Sequence, residues 1–253
     1  KELVKQLEKR KPSALIVELP SNPMLQCVDL PLVAKIAHDR GIPIIADDTI
    51  GSAVNINPLP YVDLVFTSLT KSFGGRGDVL AGSLIISPTS KWKDTFKELL
   101  PLSSVAELSD SDAIVLELGS KDVIGRIHKS NKSCLDLKSR LETHPNIKRV
   151  LHPAGCTNYK FLMRKNAGFG CLLSFELKGG VSMAERFYNS LKVCKGPSLG
   201  TIFTLACPYV LLAHYKELDW AKECGIPHSL IRVSVGLEQS EDLWDRFNTA
   251  LKA

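Results

Sequence analysis

Short apolar runs alternate with amphipathic segments over the first ninety residues of the chain. Residues 14–18 and 42–46 are such runs, and residues 63–67 and 82–86 repeat the pattern further along. Runs of this length between polar turns are typical of strands that are covered on both faces. The segment 29–41 has an acidic cap, an early proline and a terminal glycine, which predict a helix. Strands that alternate with helices predict a mostly parallel α/β sheet.

The pattern changes after residue 88. Residues 112–142 form one long helical pattern without proline, and residues 171–177 alternate like a half-buried strand. Residues 230–235 again resemble a strand, and residues 240–251 form an amphipathic helical pattern with an N-terminal serine cap. This part of the chain therefore predicts a smaller α+β unit behind a long connecting helix.

Composition places the chain among ordinary globular proteins. Of its 253 residues, 44% are hydrophobic and 23% are charged, which is close to the average for soluble domains. No run approaches the ~18 apolar residues that a membrane helix needs. The formal net charge of +5 is scattered, with acidic residues between the basic ones, whereas a nucleic-acid face concentrates its basic residues. We therefore expect no nucleic acid and no membrane among the partners.

Cysteine and histidine spacing excludes two further classes of site. The seven cysteines include no Cys-x-x-Cys pair, and the six histidines show no His-x-x-His spacing. We therefore expect no disulfide framework and no metal site. Reduced, buried thiols are typical of proteins in reducing compartments, which predicts a cytoplasmic location.

Polar clusters follow three of the predicted strands. Asn22 follows the first strand, Asp47 the second, and the run Ser68-Leu69-Thr70-Lys71 the third. In open α/β sheets, ligands bind beyond the carboxyl ends of the strands. The sequence therefore predicts that these side chains converge on a binding site at one edge of the sheet.

Two kinds of chemistry could use such a cluster. Phosphoryl transfer with Mg²⁺ is disfavoured, because Asp47 and Lys71 are separated by a single strand crossing and the phosphate-binding loop Gly-x-x-x-x-Gly-Lys-Ser/Thr is absent from the sequence. Pyridoxal phosphate chemistry needs a lysine, an acid for the pyridine nitrogen and donors for the phosphate. Lys71, Asp47, Ser68 and Thr70 meet that requirement.

Five motifs in one order resemble the Cys/Met-metabolism family of pyridoxal phosphate enzymes over nearly the whole chain. The five are Ser21-Asn22-Pro23, Asp47-Asp48-Thr49, Ser68-Leu69-Thr70-Lys71 with Gly75 and Asp78, Ser198-Leu199-Gly200, and the run from Leu230 to Glu238. Variants in three segments are most similar to the fungal branch of cystathionine γ-synthase: residues 47–51, 203–208 and 211–215.

The resemblance implies a role for each residue of the candidate site. Lys71 would form the Schiff base with the cofactor and carry protons, and Asp47 would pair with the pyridine nitrogen. Ser68 and Thr70 would hold the phosphate side, with Asn22 near the ring hydroxyl. Arg232 would bind the substrate α-carboxylate as a bidentate fork, assisted by Ser198.

The resemblance also implies the fold and the domains. The fold would be that of the pyridoxal-phosphate-dependent transferases of the aspartate-aminotransferase type, with a mostly parallel sheet in the large domain. Residues 1–122 would be the C-terminal part of the large cofactor-binding domain, and residues 123–253 the small C-terminal α+β domain. Because the chain opens without a Met, in the end of a predicted surface helix, we expect that an upstream part of the large domain is missing.

The implied reaction is γ-replacement on an O-acylhomoserine with cysteine as the thiol nucleophile. Similar fungal enzymes of secondary metabolism would use carbon or amine nucleophiles, and the sequence leaves that alternative open. A third reading is an inactive fragment or a non-catalytic scaffold subunit. The family's assembly implies a homodimer or homotetramer with shared active sites, acting on a small-molecule amino-acid substrate.

Overall fold

The computed structural model describes residues 1–102 and 108–253, and its first half is built on a four-stranded sheet. The strands lie side by side in chain order, and the first three are parallel while the fourth runs antiparallel to the third. They are β1 (Leu15–Glu18), β2 (Ile44–Asp47), β3 (Leu64–Ser68) and β4 (Gly82–Ile86). Asp47 pairs with Glu18 on one side and with Phe66 on the other, so the carboxyl ends of the three parallel strands are level.

The helix after β1 begins as its sequence signals predict. Asp29 caps the helix after β1, because its side chain accepts a hydrogen bond from the Leu32 amide at 3.1 Å. A proline occupies the first turn of the same helix, where its missing N–H costs nothing. The helices are α1 (Glu2–Arg10), α2 (Leu30–His38), α3 (Lys93–Leu99) and α4 (Asp110–Ser120). The single long helix predicted over residues 112–142 is wrong, because the chain turns at Lys121 and Asp122 and forms two helices, at residues 110–120 and 123–143.

The prediction that the first strand is covered on both faces is wrong. Val17 is buried, whereas its neighbour Ile16 is 64% exposed. Alternate side chains of a strand point to opposite faces, and the buried cluster that includes side chains of α1 and α2 contains Val17 but not Ile16. Leu84 and Ile85 of β4 are also exposed, so apolar side chains of both edge strands face outward in the described part of the chain.

The second half begins with a long helix and forms a five-stranded sheet. The sheet order is β5-β6-β9-β8-β7, with antiparallel neighbours except for the last pair. Its strands are β5 (Ile147–Leu151), β6 (Leu172–Leu177), β7 (Cys194–Lys195), β8 (Leu205–Pro208) and β9 (Ile231–Ser234). The helices are α5 (Val123–Thr143), α6 (Thr157–Leu162), α7 (Gly180–Ser190), α8 (Tyr209–Ala213), α9 (Leu218–Glu223) and α10 (Ser240–Leu251). The predicted serine cap of α10 is wrong, because Ser240 is already helical and the cap position is Gln239, whose side chain makes no capping hydrogen bond.

Helices and sheet of the second half share one apolar core. Phe175 of β6, Phe187 of α7 and Phe247 of α10 are fully buried. Their rings are 5.4 and 5.9 Å apart in succession, within the range in which aromatic pairs stabilise each other. This core gives β9, which carries Arg232, a rigid support.

The expected half-buried character of residues 171–177 is also wrong, since every position of β6 is buried. The strand lies between β5 and β9, and its polar side chains have partners. Ser174 Oγ donates to the Pro23 carbonyl at 2.9 Å, and Glu176 pairs with Lys148 and Arg149. Burial of these groups is tolerated because their hydrogen bonds are made.

The two halves are joined by polar and apolar contacts. Asn55 and Asn131 exchange amide hydrogen bonds of 3.3 and 2.7 Å in a buried position. Tyr159 of α6 is fully buried in the core of the first half. The boundary that we predict between residues 122 and 123 falls at the start of α5 and stays a prediction.

His152 gives the fold a dependence on pH. It is 3% exposed; its Nδ1 accepts a hydrogen bond from the Ala154 amide, and its Nε2 has no partner among the described residues. Burial, and then the charge of Lys138, lower the pKa of His152 to about 4, whereas an unfolded histidine titrates near ~6.5. Between about pH 6.5 and about pH 4, the unfolded chain binds a proton at this histidine and the folded chain does not. The free energy of unfolding therefore decreases as the pH is lowered, by about 2 kcal/mol at about pH 5 relative to neutral pH.

Urea unfolding near neutral pH and at about pH 5 measures this effect. We expect His152→Gln, which cannot titrate, to lose that part of the pH dependence. An equal loss of stability in both proteins at the lower pH would contradict the assignment.

Candidate active site

A tight turn after β3 places Lys71 beyond the carboxyl end of the sheet. The Lys71 amide donates to the Ser68 carbonyl at 3.3 Å, and the Gly75 amide donates back to the Lys71 carbonyl at 2.8 Å. Gly75 has a φ of +77°, a conformation that glycine adopts without strain. The local sequence therefore builds the turn that carries the lysine.

The amine of Lys71 is partly buried and faces the second half of the chain. Its Nζ donates to Ser198 Oγ at 3.2 Å, across 127 residues of sequence. Burial, and then the positive charge of Arg232, lower the pKa of Lys71. A larger fraction of the amine is therefore neutral near pH 7, as a nucleophilic lysine requires.

Arg232 is the centre of a second set of contacts. It is 2% exposed, and its Nη1 donates to Asn22 Oδ1 at 3.0 Å. Its Nη2 donates to the carbonyls of Pro197 and Ser198, and its Cζ lies 4.8 Å from the ring centre of Tyr209. Ser198 thus contacts Lys71 through its hydroxyl and Arg232 through its carbonyl.

Asp47, Thr49 and Ser68 form a separate group at the same edge of the first sheet. The Thr49 amide donates to Asp47 Oδ1 at 2.9 Å, and Thr49 Oγ1 accepts from the Ser68 amide at 2.9 Å. All three line an open cavity of about 680 Å³. Lys71 is not among the residues that line this cavity, so the described residues form two adjacent groups.

The adjacent acid, Asp48, has a different environment. It is 2% exposed, and its carboxylate accepts a hydrogen bond from the Thr67 hydroxyl. Burial raises the pKa of Asp48. Of the two neighbouring carboxylates, only Asp47 reaches the cavity.

Thr70 is engaged within its own loop. Its hydroxyl accepts from the Ala81 amide at 3.1 Å and donates to the Ala81 carbonyl at 3.5 Å. These bonds hold the segment after β3 to the start of β4. A contact of this hydroxyl with a phosphate stays a prediction.

The side chains present fit pyridoxal phosphate. The group has an aldehyde that reacts with a neutral amine, a pyridine nitrogen that pairs with a carboxylate, and a phosphate that accepts hydrogen bonds. Lys71, Asp47 and Ser68 offer an amine of lowered pKa, a carboxylate that lines the cavity and a hydroxyl that lines the same cavity. Asp47 and Ser68 are the last residues of β2 and β3, and Lys71 follows β3 by three residues.

Sequence reasoning did not assign the residues that hold the Ser198 segment in place. Glu238 accepts from the Thr204 amide at 2.6 Å and from its hydroxyl at 2.8 Å. Thr204 Oγ1 in turn accepts from the Gly236 amide at 3.0 Å. The signal was available, since Glu238 ends the motif that carries Arg232.

Gly200 lets the Ser198 segment approach the turn of Lys71. Its φ is +74°, and a Cβ would lie 2.5 Å from the Ser72 backbone nitrogen. We expect Gly200→Ala to lower the free energy of unfolding by about 2–4 kcal/mol, because strain and overpacking add. Thermal unfolding measures the change.

Gly125→Ala is the matched control for this substitution. Gly125 lies in α5 with nothing within 4 Å of a built Cβ, so alanine there should leave the protein unchanged or stabilise it by up to about 1 kcal/mol. Equal behaviour of the two variants would contradict the close approach at Gly200.

Metal sites and membrane-spanning helices are two further features to consider. Among residues 1–102 and 108–253, no group of three or more His, Cys, Asp or Glu is placed to hold a metal ion. Within the same ranges, no helix is both long and apolar enough to cross a membrane.

The cysteines are free thiols. Five of them are buried, at positions 27, 134, 156, 171 and 207, and Cys194 and Cys224 are exposed.

Comparison with known proteins identifies relatives over nearly the whole chain. Cystathionine gamma-synthase of Neurospora crassa is 39% identical over 242 residues, covering 94% of this chain and 39% of the relative. The cystathionine gamma-synthase-like protein ankD of Aspergillus thermomutatus is 40% identical, covering 95% of this chain and 43% of the relative. The chain thus spans about two fifths of the length of these curated relatives.

A solved structure shares the fold. Cystathionine gamma synthase from Xanthomonas oryzae pv. oryzae superposes with a TM-score of 0.87 at 25% identity, covering 98% of this chain and 65% of that structure. The fold is therefore that of the pyridoxal-phosphate-dependent transferases, as the sequence predicted. The model of the family described as Cys/Met metabolism PLP-dependent enzyme matches residues 1–252. The chain belongs to this family of pyridoxal phosphate enzymes.

Proposed function

We propose that the protein catalyses γ-replacement on an O-acylhomoserine, with cysteine as the nucleophile and cystathionine as the product. One observation carries the proposal: Ser198 contacts both the Lys71 amine and the Arg232 guanidinium. An amino acid whose carboxylate lies on Arg232 would therefore have its α carbon beside a lysine of lowered pKa. The Neurospora crassa relative is named cystathionine gamma-synthase, and the Xanthomonas oryzae structure was solved with aminoacrylate and cysteine.

Lys71 and Ser198 would together carry out the proton transfers at the substrate α carbon. When bound, pyridoxal phosphate supplies the electron sink for the carbanion at the substrate α carbon. Lys71 Nζ, whose pKa is lowered by burial and by the charge of Arg232, takes the α proton and returns a proton later. Ser198 Oγ holds that amine at 3.2 Å, so the base stays positioned between the two transfers.

Arg232 would bind and orient the substrate carboxylate. Its guanidinium is held by Asn22, Pro197 and Ser198, which fixes the plane of the fork before substrate arrives. In the net reaction the Cγ–O bond to the acyl group breaks and a Cγ–S bond to cysteine forms. The acyl group leaves as a carboxylate, and the thiol proton is released.

The protein expressed from its complete gene and loaded with pyridoxal phosphate tests this proposal. O-acetylhomoserine and O-succinylhomoserine are each incubated with cysteine, with an amine or with a carbon nucleophile, and products are identified by mass spectrometry. Cystathionine as the main product is the expected result. Preference for an amine or carbon nucleophile would favour the alternative in secondary metabolism, and no conversion by the loaded protein would favour the non-catalytic reading.

Self-association and location are proposed on separate grounds. A homodimer or homotetramer with shared active sites is supported by the exposed apolar side chains of Leu80 and Leu84, which line the same cavity as Asp47, since contiguous exposed apolar surface commonly packs against a partner. Sedimentation velocity measures the assembly, and a monomer at all concentrations would refute it.

A cytoplasmic location is supported by the free buried thiols.

A further inference from the structure

Arg126 lies in the first turn of α5 and points at the turn that carries Lys71. Its side chain is 10% exposed. Its Nη1 donates to the Ser72 carbonyl at 3.0 Å, and its Nη2 donates to the Phe73 carbonyl at 2.8 Å and also to the Gly119 carbonyl. Ser72 and Phe73 are the two residues that follow Lys71, so one guanidinium binds the backbone directly after the lysine.

The ion pair of Arg126 with a carboxylate contributes little stability. Arg126 Nε donates to Asp122 Oδ1 at 2.7 Å, but Asp122 is 69% exposed, and exposed pairs stabilise little. Most of the hydrogen bonds of Arg126 go to backbone carbonyls, and its side chain is largely buried. A planar guanidinium can serve several acceptors at fixed angles, which a lysine ammonium cannot do.

Gly75 makes room for this contact. With its φ of +77°, a Cβ at this position would lie 2.1 Å from Arg126 Nη1. The Gly75 carbonyl also accepts from the Ile202 amide at 2.8 Å, and Ile202 is in the segment that carries Ser198. The turn is therefore held on one side by α5 and on the other by the segment that faces the lysine amine.

We propose that Arg126 is a positioning residue for Lys71: its hydrogen bonds to the Ser72 and Phe73 carbonyls hold the turn in the conformation that brings Lys71 Nζ to Ser198 Oγ. This proposal rests on the role of Lys71 in the proposed function. It assigns to the long helix a part in the reaction, although no atom of that helix need touch substrate or cofactor.

Arg126→Met and Arg126→Lys test the proposal, with Arg140→Met as the matched control. Arg140 lies on the same helix and pairs with Asp136 and Glu241 at the surface, away from the turn. Arg126→Lys keeps the charge and can serve one carbonyl, so it carries the test if the methionine variant does not fold.

The first readout uses cofactor-free protein. We expect amide hydrogen exchange at Gly74 and Gly75 to become about tenfold faster or more in Arg126→Met, because hydrogen bonds from a charged donor are lost. The increase should be smaller in Arg126→Lys and absent in Arg140→Met. Unchanged exchange in both Arg126 variants would overturn the proposal.

The second readout separates positioning from general stability. In protein loaded with pyridoxal phosphate, exchange of the α proton of O-acetylhomoserine with solvent deuterium should show kcat per bound cofactor lowered about tenfold or more, with KM changed less than about twofold. Faster amide exchange with an unchanged kcat would show a structural role only and overturn the proposal. Absence of α-proton exchange from the unsubstituted loaded protein would instead refute the proposed function, while amide exchange would still report whether Arg126 holds the turn.

Discussion

Replacing Lys71 by alanine should abolish covalent binding of pyridoxal phosphate and lower γ-replacement activity by at least about 10³-fold. The amine at this position is partly buried beside Arg232 and hydrogen-bonded to Ser198. An alanine side chain can neither react with the cofactor aldehyde nor carry a proton. The measurement is the visible absorbance of protein mixed with the cofactor, followed by borohydride reduction and peptide mass spectrometry.

Lys195→Ala is the control for this experiment. Burial also lowers the pKa of Lys195, but its amine donates to the carbonyls of Tyr188 and Leu191 in the second half of the chain. This variant should keep the visible band and the reduced adduct on Lys71. A band that survives in Lys71→Ala, with the cofactor reduced onto another lysine, would refute the assignment of Lys71.

Replacing Arg232 by lysine should raise KM for the amino-acid substrate by at least about thirtyfold while leaving cofactor binding nearly unchanged. Lysine keeps the positive charge but cannot reproduce the fork that a carboxylate binds with two parallel hydrogen bonds. The shorter reach of its three donors also releases at least one of the partners Asn22, Pro197 and Ser198. Steady-state kinetics with O-acetylhomoserine measures the change.

Because Arg232 is buried, stability is measured on the same samples. Arg149→Lys serves as the control, since Arg149 pairs with the buried Glu176 on β5 and β6 away from the site. A rise in KM for Arg232→Lys beyond any change in the control supports carboxylate binding. An unchanged KM in a folded Arg232→Lys protein would assign Arg232 a structural role only.

Local patterns were sufficient for the strands of the first sheet and for the helix that follows β1. The helix after β1 begins at the capping residue that the sequence indicates, because a cap depends on residues three positions apart. For the turn around Lys71, local patterns predicted only that the run from Ser68 to Lys71 follows a strand, because the turn also depends on hydrogen bonds from Arg126. The family was recognisable from five ordered motifs, and a match over residues 1–252 confirms it.

Burial was harder to predict, because it depends on what lies on the other side of a strand. Ile16 sits in an apolar run and is 64% exposed, since the side chains packed on the sheet cover only the opposite face. Ser174 and Glu176 alternate with apolar residues and are nonetheless buried, since partners arrive from other segments. Periodicity reports the two faces of a strand but not the elements that meet them.

Neighbouring residues and ordered motifs were enough to predict the strands of the first sheet, the helix after β1 and the resemblance to the family. Only the packing of distant segments brings Lys71 to Ser198 across 127 residues, Arg232 to Asn22 across 210, and Arg126 to the carbonyls that follow the lysine. A side-chain hydrogen bond needs its donor and acceptor within about 3 Å of each other. Such a distance is fixed by how two sheets and a helix pack, which no local pattern records.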